Sequence, residues 1–343
     1  MKEKILRNIV EVITERELDF LLSSGKKLKA YIGFEPSGFV HLGTGVLWPL
    51  KLRDLEECGI HTVVLLADWH AYINDKLGGD LEKIKICGEY MRECFRAMGT
   101  NAQFIFASEI VGDKDYWEKV IRVAKKTTLR RAKRAMTIMG RREDEAELDS
   151  SKIIYPFMQV ADIFHLDVDI ALGGMDQRHA HMLARDVAEK LKYRKVVALH
   201  GPLLTGLQGG GRMDPVEAKM SKSKPKSTIF VHDSEEEIRK KVRKAYCPEG
   251  VVEGNPILDI VRYIIFPYYT DKFVVERDEK YGGDVEFNSY EELENAFANR
   301  EIHPLDLKNS VANYLINILS PIRKKMENNP LLEEMMKIAG EMK

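Results

Sequence analysis

The sequence predicts an α/β fold: a doubly wound parallel sheet with a helical insertion, followed by an α-helical C-terminal domain. Three observations carry this. Apolar runs short enough to be buried strands alternate with helix-period segments through the first part of the chain. A basic helical pattern from Lys114 to Gly140 breaks that alternation. Beyond about residue 233 only helical patterns and their start signals remain. The implied division is residues 1–232 for the sheet domain, with the insertion at about 108–150, and residues 233–343 for the helical domain.

Taken in order, residues 1–27 read as a helical hairpin ending at Ser23, Ser24 and Gly25, with Thr14 and Glu17 as a capping box. Leu28, Ala30 and Ile32 mark the first strand. A glycine-proline turn, Tyr31 to Thr44, leads into a helix carrying Val46, Leu47, Leu50, Leu52 and Leu55 and ending near Cys58. His61–Ala67 is the second strand. It closes on Asp68, Trp69 and His70 at the carboxyl edge of the sheet, where open α/β folds bind ligands. Asp80 caps a helix to about Met98, and Gln103–Ala107 is the third strand. After the insertion, Pro156 is expected to open a helix, since proline suits the first helical position. Asp169–Leu172 is the fourth strand, a helix from the Gly173–Arg178 turn runs to about Leu191, and Val196–Leu199 is the fifth strand. A short strand at Ser227–His232 precedes the helical part. There Ser234 with Glu237 opens a helix to Tyr246, and Asn255-Pro256, Ser289 with Glu292, His303-Pro304 and Pro321 each signal another start.

Composition narrows the function classes. A chain of 343 residues has room for two domains and a large core. With 44% hydrophobic and 31% charged residues it is an ordinary globular protein. The formal net charge of -1 gives no global attraction to nucleic acid, so any RNA site is a local patch. Cys58, Cys87, Cys94 and Cys247 form no C-x-x-C pair, which argues against a disulfide framework or zinc site and for a reducing cytoplasm. The N-terminus lacks a signal peptide's apolar core, and the longest apolar run, around Val63 to Leu66, is far too short to span a membrane.

Four stretches carry candidate chemistry. In the first turn, Gly33, Gly38 and Gly43 let the chain bend and a ligand approach the backbone, and the free N–H groups of the next helix suit phosphate. The glycine spacing is neither a dinucleotide fingerprint nor a Walker A loop, and His41-Leu42-Gly43-Thr44 alone is compatible with a plain turn. The second stretch is Lys219-Met220-Ser221-Lys222-Ser223-Lys224, between Gly209-Gly210-Gly211 and Pro225. Lysines and hydroxyls on a glycine-hinged loop can close over polyphosphate, although a solvated basic loop reads the same way. In the third, Tyr155, Gln159 and Asp162 share one side of a helix whose other side, Phe157, Val160 and Phe164, is apolar. Such polar groups need a partner, either a small polar ligand or solvent. The fourth is the basic insertion, with Lys125, Lys126, Arg130, Arg131, Lys133, Arg134, Arg141 and Arg142. It suits an RNA backbone or is a solvated face, while Trp117, Ile121, Leu129 and Met136 equally suit subunit packing. In the helical part, Tyr281 on the Gly282-Gly283 turn has a shape suited to base stacking, or is an ordinary turn.

The pairing of His41-x-Gly43 with Lys219-Met-Ser-Lys-Ser223 resembles the two signature motifs of class I aminoacyl-tRNA synthetases. The second motif matches in all five positions. The first departs at Thr44, where histidine is usual; threonine donates a hydrogen bond but carries no charge. Tyr31–Gly38, Tyr155–Asp162 and Gly173–Arg178 resemble the tyrosyl-tRNA synthetases of archaeal and eukaryotic type, and the similarity covers almost the whole chain. That resemblance implies a Rossmann-like catalytic domain and a helical anticodon-binding domain. It implies Tyr31 and Asp162 on a tyrosine's phenolic hydroxyl and Tyr155, Gln159 and Gln177 on its α-amino group. Gly33, His41, Gly43, Lys222 and Ser223 would bind ATP, with His41, Thr44, Lys219 and Lys222 acting on its phosphates or ribose. Arg134 and Arg178 would lie near the first acceptor base pair, and Tyr281, His303 and Asp306 at the anticodon. The implied partners are L-tyrosine, ATP with Mg2+, tRNA(Tyr) and a second copy of the chain, with no protein-built metal site.

Three rival readings stay open on the residues. A synthetase for tryptophan would want an indole N–H acceptor and have less use for Tyr31 with Asp162. A small nucleotidyltransferase with the H-x-G turn predicts neither the helical C-terminal part nor the basic insertion. A synthetase-like RNA-binding protein without catalysis would carry a degraded lysine loop or pocket.

Overall fold

The computed structural model describes residues 1–139, 149–210, 218–221 and 225–341. Its main sheet is built from β1 (Glu11–Ile13), β2 (Lys29–Phe34), β3 (His61–Leu66), β4 (Gln103–Phe106), β5 (Ile170–Gly174) and β6 (Val197–Gly201). The spatial order is β1-β6-β5-β2-β3-β4. All neighbours are parallel except β1, which runs antiparallel along β6 with Val12 opposite Leu199. The chain winds outward from β2 in one direction through β3 and β4, and in the other through β5 and β6. The switch point therefore lies between β2 and β5, where open sheets of this kind form a crevice beyond the carboxyl ends of the strands.

Strand register opens that crevice. β2 pairs with β3 along its whole length, from Lys29 opposite His61 to Phe34 opposite Leu66. With β5 it pairs only at Ala30 and Tyr31. Beyond Tyr31 the two strands have separate partners, and a gap is left beside Gly33 and Gly173. The pleat sorts the side chains by period two. Ala30, Ile32, Val64, Leu66, Ile170 and Leu172 enter one apolar cluster, and Tyr31, Val63, Leu65 and Ala171 enter the other. The first cluster continues without a break into the C-terminal helices through Ile257, Leu307 and Ile338. The second packs the sheet against the insertion helices and the Ser151–His165 helix.

Several elements differ from the sequence expectation. The N-terminal hairpin is interrupted by β1, a three-residue edge strand whose pairing partner lies far along the chain. The Thr14–Glu17 capping box is present and opens the Glu15–Ser23 helix. The basic helical pattern is two helices, Lys114–Lys126 and Leu129–Ala135. They separate at Thr127 and Thr128: the Thr127 hydroxyl donates to the Val123 carbonyl at 2.8 Å, and Thr128 caps the second helix by accepting from Arg131 N. Pro156 does not open its helix but sits inside it. The extra turn is held by buried Lys152, whose Nζ donates to the Ile73 carbonyl and pairs with Asp75 at 2.7 Å and Asp149 at 2.9 Å.

Ser227–His232 is not a strand. It makes an isolated bridge, His41 with Phe230, flanked by Leu42 N donating to Ile229 O and Val231 N donating to Val40 O. The C-terminal part is not purely helical either, since Phe273–Val275 and Val285–Phe287 form an antiparallel pair. The helix opened by Ser234 ends at Lys244. Pro321 lies inside the Pro304–Met326 helix, and the last helix starts at Pro330.

Candidate active site

The switch-point crevice is a cavity of about 600 Å³. β2 supplies its floor, the Ser151–His165 helix one wall, the turn after β5 the opposite wall, and the two motif segments its mouth. Tyr31, Tyr155, Gln159, Asp162, Gln177, Gly33, His41, Gly43, Thr44 and Lys219 all line it. Residues from distant parts of the sequence thus meet around one space.

The deep end is built around Asp162, which is 1% exposed. The Tyr116 hydroxyl donates to its Oδ1 at 2.8 Å, and His70 Nε2 lies 3.1 Å from its Oδ2. Burial, then the charge of Asp162, pushes the Tyr31 phenol far above its usual range, so Tyr31 is a neutral hydroxyl there. Gly33 lies beside that ring, where a Cβ would stand in ordinary contact at 3.7 Å from Tyr31 Cε2. Tyr116 belongs to the Lys114–Lys126 helix, which therefore holds the Asp162 carboxylate from behind the cavity.

The next layer is acidic and amide-rich. The Tyr155 hydroxyl donates to Glu35 Oε1 at 2.6 Å. Asn74 Nδ2 donates to both Glu35 oxygens, and Lys76 Nζ stands 3.7 Å from Oε2. Burial and then Glu35 raise the Tyr155 pKa well above a free phenol's. Gln159 Nε2 donates to Gln177 Oε1 at 3.0 Å, while the buried Gln159 Oε1 has no partner among the described residues. A negative carboxylate beside an open amide acceptor is suited to an ammonium group.

At the mouth the two motif segments are joined through the backbone. The His41–Phe230 bridge ties the first turn to the chain that returns from the lysine segment. His41 Nε2 lies 3.4 Å from Thr44 Oγ1, and a Cβ on Gly43 would come within 3.2 Å of the His41 ring, so glycine lets that imidazole lie close over the backbone. The described part of the lysine segment bridges the chain before it, Lys219 with Thr205, and Met220 N donates to Leu204 O. Lys219 Nζ donates to Asp176 Oδ2 at 2.5 Å. The mouth therefore presents an imidazole, a hydroxyl and an ammonium beside a helix start, a set of donors for phosphate oxygens.

Comparison with known proteins agrees with this geometry. Residues 23–320 match the model of the family described as tRNA synthetases class I (W and Y). The chain belongs to that family. It is 56% identical to the tyrosine–tRNA ligase of Saccharolobus solfataricus, over 97% of this chain and 94% of that one. It is 53% identical to the tyrosine–tRNA ligase of Aeropyrum pernix, over 96% and 94%. Among solved structures, the tyrosyl-tRNA synthetase of Pyrococcus horikoshii complexed with L-tyrosine superposes with a TM-score of 0.91 at 46% identity, covering 98% of this chain and 99% of that one. The Aeropyrum pernix tyrosyl-tRNA synthetase superposes with a TM-score of 0.88 at 49% identity, covering 98% of each.

The remaining residues that a synthetase reading singles out lie away from the cavity. Arg134 is exposed on the insertion. Arg178 Nε donates to both Glu11 oxygens at 2.9 Å, and Glu11 also holds His200 Nδ1 at 2.8 Å, so this arginine is fixed to the edge strand β1. Tyr281 is 66% exposed, with the Lys280 ammonium 4.9 Å from its ring centre. His303 caps the Pro304–Met326 helix by accepting from Leu305 N, and Asp306 stands in the first turn. Arg277 links these two places: it donates from Nε to Gly283 O and from Nη1 to Glu301 O. Lys222, Ser223, Arg141 and Arg142 lie outside the described residues.

Sequence reasoning passed over four residues of the site. Glu35 stands in the quoted first turn and Asp176 in the quoted glycine turn, yet neither spacing assigns them a partner. His70 reads from the sequence only as a polar residue at a sheet edge. Tyr116 gives no local signal, because an aromatic on an amphipathic helix reads as packing.

Proposed function

We infer that the chain is a tyrosine–tRNA ligase. It activates L-tyrosine with ATP to tyrosyl-adenylate and pyrophosphate, then transfers the tyrosyl group to the 3'-terminal adenosine of tRNA(Tyr). The observation that carries the substrate is the buried Asp162 carboxylate beside the Tyr31 hydroxyl at the closed end of the cavity. A site built to bond a hydroxyl leaves buried polar groups unpaired when a bare ring enters, and tyrosine against phenylalanine is itself the reference case for this effect. An indole ring would not use both groups.

Seated there, the phenolic hydroxyl meets Tyr31 and Asp162. The α-ammonium meets Tyr155, Gln159 and Gln177, with Glu35 supplying the negative charge. The carboxylate then points to the mouth. One of its oxygens forms a bond to the α-phosphorus of ATP as the bond from that phosphorus to the bridging oxygen breaks, and pyrophosphate leaves with that electron pair. Acceleration comes from position and from charge stabilisation on the phosphates. His41, Thr44, Lys219 and Lys222 serve the phosphates, and Gly33, Gly43 and Ser223 the approach of the nucleotide. In the second step a terminal ribose hydroxyl attacks the tyrosyl carbonyl, the bond from that carbon to the phosphate oxygen breaks, and AMP leaves with that electron pair while the hydroxyl proton passes to a phosphate oxygen. ATP enters as its Mg2+ complex, with phosphate oxygens and water as ligands. The pocket carboxylates fit that reading, because Asp176 is held by Lys219 and Glu35 by Tyr155 and Asn74.

In this reading residues 1–232 are the catalytic domain and 233–343 the anticodon-binding domain. Arg134 and Arg178 face the acceptor stem, and Tyr281, His303 and Asp306 the anticodon. The exposed Trp117, Ile121 and Leu129 of the insertion support a homodimer contact. No described helix is long and apolar enough to cross a membrane, and the free cysteines suit the cytoplasm.

Amino-acid-dependent ATP–pyrophosphate exchange tests the reading. Exchange with tyrosine, and not with phenylalanine or tryptophan, is expected. Exchange with tryptophan would overturn the substrate, and tRNA binding without any exchange would overturn the enzyme.

A further inference from the structure

We propose that Glu11 is a positioning residue for the RNA step: backed by the buried His200 and His181, it grips Arg178 through Nε and holds the free edge of that guanidinium toward the acceptor end of tRNA. The proposal rests on the ligase reading, in which Arg178 faces the acceptor stem.

The chain of contacts is a closed loop across three elements. Arg178 and His181 stand at i and i+3 at the start of the Arg178–Leu191 helix, so they share one side of it. His181 Nδ1 lies 3.0 Å from His200 Nε2 on β6. His200 Nδ1 lies 2.8 Å from Oε2 of Glu11, its register partner on β1. Glu11 returns to the helix, accepting from Arg178 Nε at 2.9 Å on both oxygens. Gly173 makes the room: a Cβ there would lie 3.1 Å from His181 Cε1 and 2.9 Å from Gln177 Cβ.

The protons have one consistent arrangement. Burial works against the Glu11 charge, but Arg178 and then His200 outweigh it and hold the carboxyl below its usual range. An ionised Glu11 only accepts, so His200 Nδ1 carries the hydrogen. Burial, against the pull of Glu11, holds His200 below the ordinary imidazole value. Its Nε2 is then a bare acceptor at neutral pH, and His181 Nδ1 donates to it. Burial, then His200, keeps His181 neutral as well. The N–H groups of all these side chains point along the loop toward one carboxylate.

Gripping Arg178 by Nε leaves a particular edge exposed. Its terminal Nη nitrogens make no hydrogen bond among the described residues. They carry the paired N–H groups that fit two acceptors on a base edge or a phosphate. The Arg178 side chain is 41% exposed, and an untethered arginine there would lose rotamer freedom when RNA arrives. An ion pair this exposed contributes little to stability. What the two buried rings behind it add is a fixed direction. A carboxylate that acted only through its charge would repel RNA phosphates. Positioning and simple charge therefore predict opposite signs when Glu11 is neutralised.

The experiment is steady-state charging of tRNA(Tyr) by the wild type, Glu11→Gln, Arg178→Ala and the double variant. Glutamine keeps the shape and removes the charge. In Glu11→Gln the KM for tRNA is expected to rise about tenfold with kcat held, the scale of ordering one long side chain. In the Arg178→Ala background the same change is expected to have no further effect, because its action runs through that guanidinium. A KM for Glu11→Gln at or below the wild type's would overturn the proposal. So would a loss that adds in full to that of Arg178→Ala, the mark of a general structural role. A folded His200→Leu with the wild-type KM would overturn the part given to the histidines. If Arg178→Ala leaves the KM for tRNA unchanged, the acceptor-stem reading fails and the proposal with it. A wild type without tyrosine-dependent ATP–pyrophosphate exchange would instead fail the ligase reading.

Discussion

Lys219 Nζ lies 2.5 Å from Asp176 Oδ2, so the first lysine of the basic motif meets the glycine turn of β5 across the mouth of the cavity. Both groups are partly exposed, at 32% and 19%, and pairs of this kind contribute at most about 1 kcal/mol. An incoming nucleotide can therefore exchange its own oxygens for the carboxylate. Replacing Lys219 with alanine is expected to slow adenylate formation by about 100-fold, the scale of one lost transition-state donor, and to leave tyrosine affinity unchanged. Single-turnover kinetics with separately measured tyrosine binding checks this; an unaltered rate would take Lys219 out of the mechanism.

Tyr31 is the second test. Its hydroxyl is neutral, buried and placed at the closed end beside Asp162. Tyr31→Phe removes one hydrogen bond to the ligand hydroxyl without changing the shape of the site. The ratio of kcat/KM for tyrosine over phenylalanine is expected to fall by about tenfold, the equivalent of about 1.4 kcal/mol. A ratio equal to the wild type's would mean that the ligand ring lies elsewhere.

The C-terminal residues predict a separation of steps. Asp306 and Tyr281 are far from the cavity and joined to each other's neighbourhood through Arg277. Asp306→Ala and Tyr281→Ala are each expected to lower the rate of tRNA charging by about tenfold, the scale of one lost stacking or hydrogen-bond contact, while ATP–pyrophosphate exchange stays at its wild-type rate. Loss of exchange in either variant would show that these residues support the fold of the site.

Stability should depend on pH through buried histidines. Burial, then His200, holds His181 down to about 3, and burial, then Lys241, holds His232 down to about 4. Burial lowers His200 too, against the opposing Glu11. In the unfolded chain these rings take up protons near 6.5, so between that value and the folded ones the unfolded state binds more protons and stability falls with pH. His70 acts in the opposite sense. Its contribution is full below 6.5 and is lost as pH rises through its raised folded value. With three groups against one, Tm is expected to drop between about pH 7 and about pH 5, and His181→Gln to flatten that slope. Calorimetry across that range decides it; a Tm independent of pH would mean the buried rings are accommodated in their charged form.

Much of this was legible before any coordinates. Strands β2 to β6 stand within a residue or two of their apolar runs, because a buried parallel strand needs a continuous apolar stretch and nothing distant. Asp80, Ser234, Asn255 and Ser289 cap their helices as their spacing indicated, since a cap is satisfied within one turn. Tyr155, Gln159 and Asp162 fell on one stripe for the same local reason. Most of the errors were non-local. β1 is three residues long, too short to stand out as an apolar run, and becomes a strand only against distant β6. Pro156 sits inside its helix because Lys152 finds acceptors on another element. The break at Thr127 and Thr128 depends on two hydroxyls turning back to the main chain.

The sequence by itself determined the alternation of strands and helices, the two segments suited to phosphate and the polar stripe on the Ser151–His165 helix. These follow from periodicity and capping, which act over a few residues. The tertiary structure decided which of those parts meet and in what charge state. β2 and β5 part after Tyr31, the insertion delivers Tyr116 to Asp162, and His70 comes within 3.1 Å of the same carboxylate. The physical reason is that burial and partnership set the cost and sign of a charge, and both depend on neighbours that the chain brings together only when it folds.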